Sequence, residues 1–329
     1  MVIITPALAQ ANTGNWHTAA RWARFLRAQF QVEVRGEWPG RGAEPGDSPD
    51  LMIALHARRS AASIAAFARA HPDRPLIVVL TGTDLYRDIA ADPAAQRSLL
   101  LATRLVVLNE LGAHALPRAM RYKVDVILQS APRLKPFRRS IRSLRVVAAG
   151  HLRDEKDPAL VMQCARAVAD PRARFVHIGA ALDPSLGRQA RATADACASY
   201  RWLGGLSRAA TRQWVRRAHL LLHPSRIEGG AQAIIEAITA GTPVLASDID
   251  GNVGLLGASY PGLFPVGDTS ACVRLIERAA SDKGFYRSLV QACRKRAPLF
   301  DPGREAAALM ALATQQIGMP SRVGRLART

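Results

Sequence analysis

The stretch LLLHPSRIEGGAQAIIEAITAGTPVLA, residues 220–246, decides the fold because it holds a complete strand–loop–helix–strand unit. Its apolar start predicts a strand that ends near His223, followed by a proline-containing loop. Gly229-Gly230 opens a predicted helix that Gly241 ends, and 244–246 predicts the next strand. A strand, a crossover helix and a second strand in this order predict parallel pairing, which is typical of α/β folds.

The same alternation extends over the whole chain. Short apolar runs rich in branched residues predict strands, and the stretches between them predict helices. The predicted strands are Val2–Thr5, Leu51–Leu55, Leu76–Leu80, Leu105–Leu108, Val124–Leu128, Leu144–Ala149, Phe175–Ile178, Tyr200–Leu203, Leu220–Leu222 and Val244–Ala246. The predicted helices include Thr18–Phe30, Ala61–Ala70, Ala94–Ala102 and Asp301–Gln316. The pattern predicts an α/β protein with two doubly wound sheets, whose ligands bind beyond the C-terminal strand ends.

The segment Ala131–Arg145 divides these two halves. It carries two prolines and six basic residues and little apolar surface, so it predicts an interdomain linker. We therefore predict an N-terminal Rossmann-like domain over residues 1–136 and a C-terminal one over 137–300, facing each other across a cleft. Residues 301–329 are predicted to form a C-terminal helix that crosses back to the N-terminal domain, with a frayed end at Ser321–Thr329.

Composition limits the function classes. The net charge is +19, and only five of the 45 basic residues are lysine, so an arginine-rich surface favours anionic ligands such as nucleotides and phosphate esters. Basic runs are not interleaved with aromatic residues, so we expect no nucleic-acid partner. No apolar run reaches the ~18 residues of a membrane span, and we expect no membrane contact.

Two sequence features bear on the compartment. Ala7-Leu8-Ala9 imitates a signal-peptide cleavage site but lacks a basic region before it, so a first strand and a cytoplasmic location are expected. The four cysteines are far apart in sequence, which predicts buried free thiols in a reducing compartment.

Two carboxylates flank the start of the helix in the 220–246 stretch. Glu228 stands just before it and Glu236 lies two turns inside it. The N–H groups of a helix start attract anions, and carboxylates accept hydrogen bonds from sugar hydroxyls. From the residues alone, a ligand site and an acidic helix start that merely complements the helix dipole both remain open.

The spacing Glu228-x7-Glu236 with Gly229-Gly230 resembles the signature of GT-B glycosyltransferases of the glycosyltransferase 4 type. The resemblance implies that Glu228 contacts the donor sugar and that Glu236 holds the ribose hydroxyls of the nucleotide. It also implies a reaction without a metal ion and without a cofactor, the nucleotide-sugar being a substrate. Asp248-Ile249-Asp250 spells the metal-binding Asp-x-Asp of the other glycosyltransferase fold, but it follows a strand here, and we predict a loop without a metal.

A second motif, residues 150–156, follows the first strand of the C-terminal half. The family has Gly-Arg-Leu-x-x-Glu-Lys at this place, which implies that Lys156 neutralises the donor diphosphate. His151 departs from that pattern, and Arg153 is positioned to supply the missing charge; a solvated charged loop is the alternative. The predicted donor side comprises the catalytic residues Glu228, Lys156 and His151 and the nucleotide-sugar contacts Glu236, Gly229, Gly230, Arg153, Arg226 and Ala231.

The N-terminal half offers polar groups at its own predicted strand ends. The turn Thr13-Gly14-Asn15 precedes the first helix, where Asn15 is alternatively a helix cap, and Thr81-Gly82-Thr83 predicts a small anion-binding nest. His17 and Arg21 share one helix face because they are four residues apart. The predicted acceptor-binding residues are Gly14, Asn15, His17, Arg21, Arg58, Thr81, Gly82 and Thr83.

A narrower resemblance spans nearly the whole chain. It rests on Thr13-Gly14-Asn15, 151–158, 200–204, 225–231, 251–257, 260–262 and 265–268. These runs are similar to the selenosugar synthases of selenoneine biosynthesis, in which histidine is the usual residue at the place of His151. The resemblance implies transfer of a sugar from UDP-N-acetylglucosamine or UDP-glucose to selenophosphate, with release of UDP and phosphate, and implies partner enzymes in the same pathway. Retention or inversion at the anomeric carbon stays open.

Two other functions stay open at this point. One is a glycosyltransferase of the same fold that acts on a carbohydrate or lipid hydroxyl, docked on a membrane through its basic first helix. The other is a non-enzymatic basic protein that binds nucleic acid, although Glu228 and Glu236 would repel a phosphate backbone.

Overall fold

The computed structural model describes residues 1–6, 14–40, 48–135, 137–140 and 142–318. The predictions made for Ala7-Leu8-Ala9, Thr13, the domain boundary at Pro136 and the end Ser321–Thr329 lie outside these residues. The chain divides into two compact units. Unit 1 combines Met1–Gln129 with Pro302–Thr329, and unit 2 is Ser130–Asp301.

Unit 1 is built on a six-stranded parallel sheet. Its strands are β1 (Val2–Ile4), β2 (Glu33–Arg35), β3 (Met52–Leu55), β4 (Leu76–Leu80), β5 (Arg104–Val107) and β6 (Val124–Val126), in the spatial order β2-β1-β3-β4-β5-β6. The helices between them are α1 (Gly14–Leu26), α2 (Ala61–Ala70), α3 (Ile89–Ala91) and α4 (Pro93–Leu101), with a π-helical turn over Asp84–Asp88. Both faces of the sheet are covered, because parallel strands need crossover connections.

Alternation along the strands divides the core of unit 1 into two layers. On one face Ile4 and Val78 pack with Phe67 of α2. On the other face Ile3 packs with Trp22 of α1. The central strands β1, β3 and β4 are therefore apolar throughout, which explains why continuous apolar runs identified them.

Unit 2 contains a second six-stranded parallel sheet. Its strands are β7 (Leu144–Ala149), β8 (Ala173–Ile178), β9 (Tyr200–Trp202), β10 (Leu220–His223), β11 (Val244–Ser247) and β12 (Leu263–Phe264), in the order β12-β11-β10-β7-β8-β9. Its helices are α5 (Pro158–Ala167), α6 (Pro184–Ala196), α7 (Arg208–Arg217), α8 (Gln232–Thr239), α9 (Asp250–Leu256), α10 (Thr269–Ser281) and α11 (Lys283–Arg296). The predicted α/β architecture of two doubly wound parallel sheets is confirmed.

The last helix, α12 (Pro302–Gly318), belongs to unit 1 and packs on α1. Its Glu305 is buried and accepts hydrogen bonds from the guanidinium of Arg21 at 2.9–3.1 Å and from the Trp22 indole N–H at 2.7 Å. Leu309 and Leu312 extend the apolar layer that Trp22 begins. The final helix therefore completes one face of the first sheet.

The predicted elements differ from the structure mainly at edges and ends. Helix α1 begins at Gly14 and ends at Leu26, four residues before the predicted bounds at each end. The edge strands β2 and β12 escaped prediction because β2 is the charged run Glu-Val-Arg and β12 has only two residues. No helix in the described part of the chain is long and apolar enough to cross a membrane.

Candidate functional site

The strand order of unit 2 reverses between β7 and β10. Strands β8 and β9 extend the sheet from β7 on one side, whereas β11 and β12 extend it from β10 on the other. At such a switch point the connections leave toward opposite faces, and a crevice opens at the carboxyl ends of the strands. The loops that leave β7 and β10, residues 150–156 and 224–230, lie at this point, and they carry the two motifs singled out in the sequence.

Backbone and side-chain contacts hold these two loops together. The Arg226 N–H donates to the Glu155 carbonyl at 2.9 Å, and the Arg226 guanidinium lies 3.3 Å from the Asp157 carboxylate. Asp157 has a left-handed backbone (φ 45°) and accepts from the Leu160 N–H at the start of α5. The turn that carries Lys156 is thereby fixed between the second loop and a helix start.

Glu228 lies at the centre of a small buried cluster of polar groups. Its Oε1 accepts hydrogen bonds from the Lys156 ammonium and, at 2.8 Å, from Nε2 of His223. Its Oε2 accepts no hydrogen bond from the described residues. Burial raises the pKa of the Glu228 carboxyl, but the charge of Lys156 and the contact with His223 lower it by more. The net pKa is therefore well below its ordinary value. Glu228 is therefore an anchored carboxylate with one oxygen available to a ligand.

Residues of β11 and α9 also hold the loop around Glu228 in place. A Cβ on Gly251 of α9 would lie 2.0 Å from the Glu228 carbonyl oxygen, so glycine is required at this approach. The Ser247 hydroxyl donates to the Ser225 carbonyl, and the Asn252 side chain donates to Ser247 at 3.0 Å. Rigid support of this kind keeps a binding group in place before the ligand arrives.

Glu236 on α8 is also bound by neighbouring side chains through one carboxylate oxygen. Its Oε1 accepts from Arg208 Nε at 2.8 Å and from Gln232 Nε2 at 3.5 Å, and Arg212 Nε lies 3.9 Å away. Its Oε2 accepts no hydrogen bond within the described chain. Arg212 Nε and Gln232 Oε1 are buried there without a hydrogen-bond partner among the described residues. Because buried polar atoms are normally paired, these two unsatisfied atoms beside a carboxylate whose Oε2 accepts nothing in the described chain indicate a place for a hydroxyl-bearing ligand.

His151 lies in the loop after β7 and is held through one ring nitrogen. Its Nδ1 accepts from the Ala180 N–H at 3.2 Å, so in the neutral ring the proton resides on Nε2. The approach depends on Gly179, where a Cβ would lie 1.9 Å from the Gly150 carbonyl oxygen. Arg153 lies beside it with Nε 3.8 Å from the Glu155 carboxylate. A neutral donor and a nearby cation thus stand where the broader family has one arginine.

The helix α8 starts later than predicted. It begins at Gln232, and the Ala231 carbonyl accepts from the Ile234 and Ile235 N–H groups at 2.9 and 3.2 Å. Gly229 is buried and Gly230 is half-buried in the loop before this start. All nine predicted donor-side residues belong to unit 2: Ala231 directly precedes α8, and the others lie in the two loops and in α8.

The predicted anion-binding nest of unit 1 is filled by its own chain. The N–H groups of Thr81 and Gly82 both donate to Asp84 Oδ1 at 2.9 Å, and the Ala57 N–H donates to Oδ2 at 2.9 Å. Thr83 Oγ1 lies 3.0 Å from His56 Nε2. Asp84 is fully buried, so these amides serve the turn, and the expectation of free N–H groups at Thr81 and Gly82 is corrected.

The other predicted acceptor-binding residues are distributed along α1 and after β3. Arg21 is buried against Glu305, and Arg58 pairs with Asp88 at 2.9 Å. Gly14 is the exposed first residue of α1, and Asn15 and His17 are half-exposed in its first turns, so Asn15 lies inside the helix and does not cap it. Their acceptor-binding role stays a prediction.

Metal ligation has no cluster to support it in the described part of the chain, where no group of three His, Cys, Asp or Glu side chains is placed to hold an ion. Asp248 is exposed directly after β11, and Asp250 is exposed at the start of α9. Metal independence stays a prediction.

Sequence analysis missed several residues of the site, among them His223, Arg208 and Gly251. His223 carries one signal, a polar side chain at the end of an apolar strand. Arg208 and Gly251 have no recognisable sequence signal. Arg208 contacts Glu236 and Gly251 contacts Glu228 from other helices, and the residues next to them in sequence do not indicate those contacts.

Comparison with known proteins bears on this site. Residues 138–296, a little under half of the chain, match the family model described as Glycosyl transferases group 1. Protein CapJ of Staphylococcus aureus is 37% identical over 76 residues, which cover 23% of this chain and 19% of CapJ. The chain thus spans about a fifth of the length of that relative.

Solved structures resemble nearly the whole chain. HepE of Anabaena in complex with UDP has a TM-score of 0.75 at 16% identity, covering 95% of this chain and 99% of HepE. Sucrose-phosphate synthase from Thermosynechococcus elongatus has a TM-score of 0.76 at 15% identity, covering 95% and 98%. HepE in complex with UDP-glucose gives 0.74 at 16%, covering 95% and 99%. At such identities the likeness shows the fold: the chain has the GT-B fold, and the family model matches its residues 138–296.

Proposed function

We propose that this chain, whose residues 138–296 match the Glycosyl transferases group 1 model, transfers a sugar from a UDP-sugar to selenophosphate and forms a carbon–selenium bond. The observation that carries the donor half is the pair Glu228 and Glu236, each with one carboxylate oxygen anchored by cationic side chains and the other without a partner in the described chain. Solved relatives of the same fold bind UDP and UDP-glucose, which supports a uridine nucleotide-sugar here.

Each donor-side residue has a chemical task in this proposal. Glu236 Oε2 accepts from a ribose hydroxyl and Glu228 Oε2 from a hydroxyl of the sugar. Lys156 leaves Glu228 for the diphosphate, where negative charge grows as the bond to the anomeric carbon breaks. His151 Nε2–H donates one neutral hydrogen bond to the phosphate oxygens, and Arg153 adds positive charge nearby.

The acceptor half rests on the sequence resemblance and on chemistry. Selenophosphate is an anion at neutral pH and selenium is a soft, strong nucleophile, so no general base has to activate it. Selenium attacks the anomeric carbon, the bond from that carbon to the UDP oxygen breaks, and water then cleaves the selenium–phosphorus bond to release phosphate. The arginine-rich chain, with a net charge of +19, suits an anionic acceptor.

The experiment is incubation of the purified protein with a UDP-sugar, UDP-N-acetylglucosamine or UDP-glucose in turn, in the presence of selenophosphate. The expected result is UDP release that depends on selenophosphate, together with a product of the mass of a 1-selenosugar. UDP release that requires a sugar or lipid hydroxyl and ignores selenophosphate would replace the acceptor and leave the donor site standing. Absence of UDP release and of UDP binding would overturn the whole proposal.

A further inference from the structure

The feature that the proposed reaction leaves unexplained is His223. This histidine ends β10, is 3% exposed, and points its Nε2 at the buried oxygen of Glu228 at 2.8 Å. The same nitrogen lies 3.2 Å from Ser225 Oγ. An apolar residue would satisfy the strand at this position, since Leu220–Leu222 before it are all fully buried.

The direction of the His223 hydrogen bond follows from the state of its partner. Lys156 and His223 hold the pKa of Glu228 low against its burial, so Glu228 is ionised and is an acceptor at both oxygens. Two lone pairs at 2.8 Å would repel each other, so His223 Nε2 carries a proton and donates it. The Ser225 hydroxyl oxygen, 3.2 Å away, is a second and longer contact of the same nitrogen.

The two donors to Glu228 Oε1 differ in what a bound donor substrate does to them. Lys156 is on the loop after β7 with its side chain 21% exposed, and a diphosphate attracts it. The His223 side chain is only 3% exposed at the end of β10. When Lys156 moves to the diphosphate, His223 remains to hold Oε1.

We infer that His223 is a positioning residue for donor-sugar recognition: its Nε2–H fixes Glu228 so that Oε2 faces the sugar hydroxyl while Lys156 serves the diphosphate. This inference rests on the proposed use of a UDP-sugar. It makes His223 matter for the sugar and not for UDP, because UDP lacks the group that Glu228 binds. A histidine that served only packing would affect both ligands and the stability alike.

The test compares His223→Gln with His223→Met, two side chains of equal length of which only glutamine retains an N–H donor near the place of Nε2. Calorimetry measures the Kd of UDP and of the UDP-sugar, and steady-state kinetics measures kcat and KM. We expect UDP to bind both variants within about 3-fold of the wild type. We expect His223→Met to lose roughly 10-fold to 100-fold in kcat/KM for the UDP-sugar, the factor that loss of one hydrogen bond to a charged group produces, and His223→Gln to recover most of it.

Four outcomes are distinguished. Equal kcat/KM in the two variants would overturn the inference, as would a parallel loss of UDP affinity and thermal stability in His223→Met. A wild-type protein that binds no UDP would instead overturn the proposed function, and the UDP titration reports that failure separately. Selective loss for the sugar, with rescue by glutamine, supports the positioning role.

Discussion

The strand-end loops of the two units use similar residues in different ways. In unit 2, Glu228 and Glu236 are anchored through one oxygen and keep the other oxygen without a partner in the described chain. In unit 1, Asp84 takes three backbone N–H groups and Arg21 is bound by Glu305. The comparison teaches that a loop rich in polar residues indicates a ligand site when hydrogen-bonding capacity remains, and a structural turn when the chain has used it.

Replacement of Arg21 by leucine tests the unit 1 side of the comparison with the largest expected effect. It leaves Glu305 buried without its cation, which costs about 3–5 kcal/mol of the free energy of unfolding. Urea denaturation measures it. The double variant Arg21→Leu with Glu305→Leu is the control and should recover part of the loss, since no buried charge remains. If the variant has near-normal stability but binds the acceptor more weakly, Arg21 is an acceptor-binding residue, as the sequence predicted.

Replacement of Glu228 by glutamine tests the unit 2 side. The variant loses the charge and places an amide where the sugar needs an acceptor, so kcat/KM for the UDP-sugar should fall by roughly 100-fold, as with loss of one group that stabilises a transition state. The control is Glu236→Gln, which should weaken UDP itself. A Glu228→Gln enzyme with unchanged kcat/KM and lowered stability would place Glu228 among the structural residues.

Replacement of Asp84 by alanine measures what the filled nest contributes to stability. The N–H groups of Ala57, Thr81 and Gly82 lose their acceptor, and we expect a loss of about 2–3 kcal/mol in the free energy of unfolding. Asp84→Asn is the matched control and should lose less, because its carbonyl oxygen still accepts from Thr81 and Gly82. If Asp84→Ala is as stable as the wild type and gains affinity for inorganic phosphate, the nest is a ligand site after all.

Replacement of His17 by alanine has the smallest expected effect. An anionic selenium nucleophile needs no base, so kcat should stay within about 3-fold of the wild type. Turnover with selenophosphate is the measurement, beside direct binding of selenophosphate. Abolished turnover with normal selenophosphate binding would show that His17 is an indispensable base. Unit 1 would then contribute a catalytic group to the reaction.

Local sequence was enough to predict the alternation of strands and helices and to find the donor motif. Ten of the strands were predicted because most of them are short apolar runs, a signal that depends on neighbouring residues alone. The spacing of Glu228 and Glu236 and the place of Lys156 after a strand were likewise visible, since one short loop and one helix carry each motif.

The tertiary structure alone decided which of these groups meet and which remain available. The strand order places the loop of Lys156 beside that of Glu228 although 72 residues separate the two side chains. Only folding brings His223 and Gly251 to Glu228, Asp84 to the amides of its turn and Glu305 to Arg21. Whether a polar group is hydrogen-bonded depends on residues that are distant in sequence. The local sequence pattern therefore located the polar groups but did not show whether they bind a ligand or the chain itself.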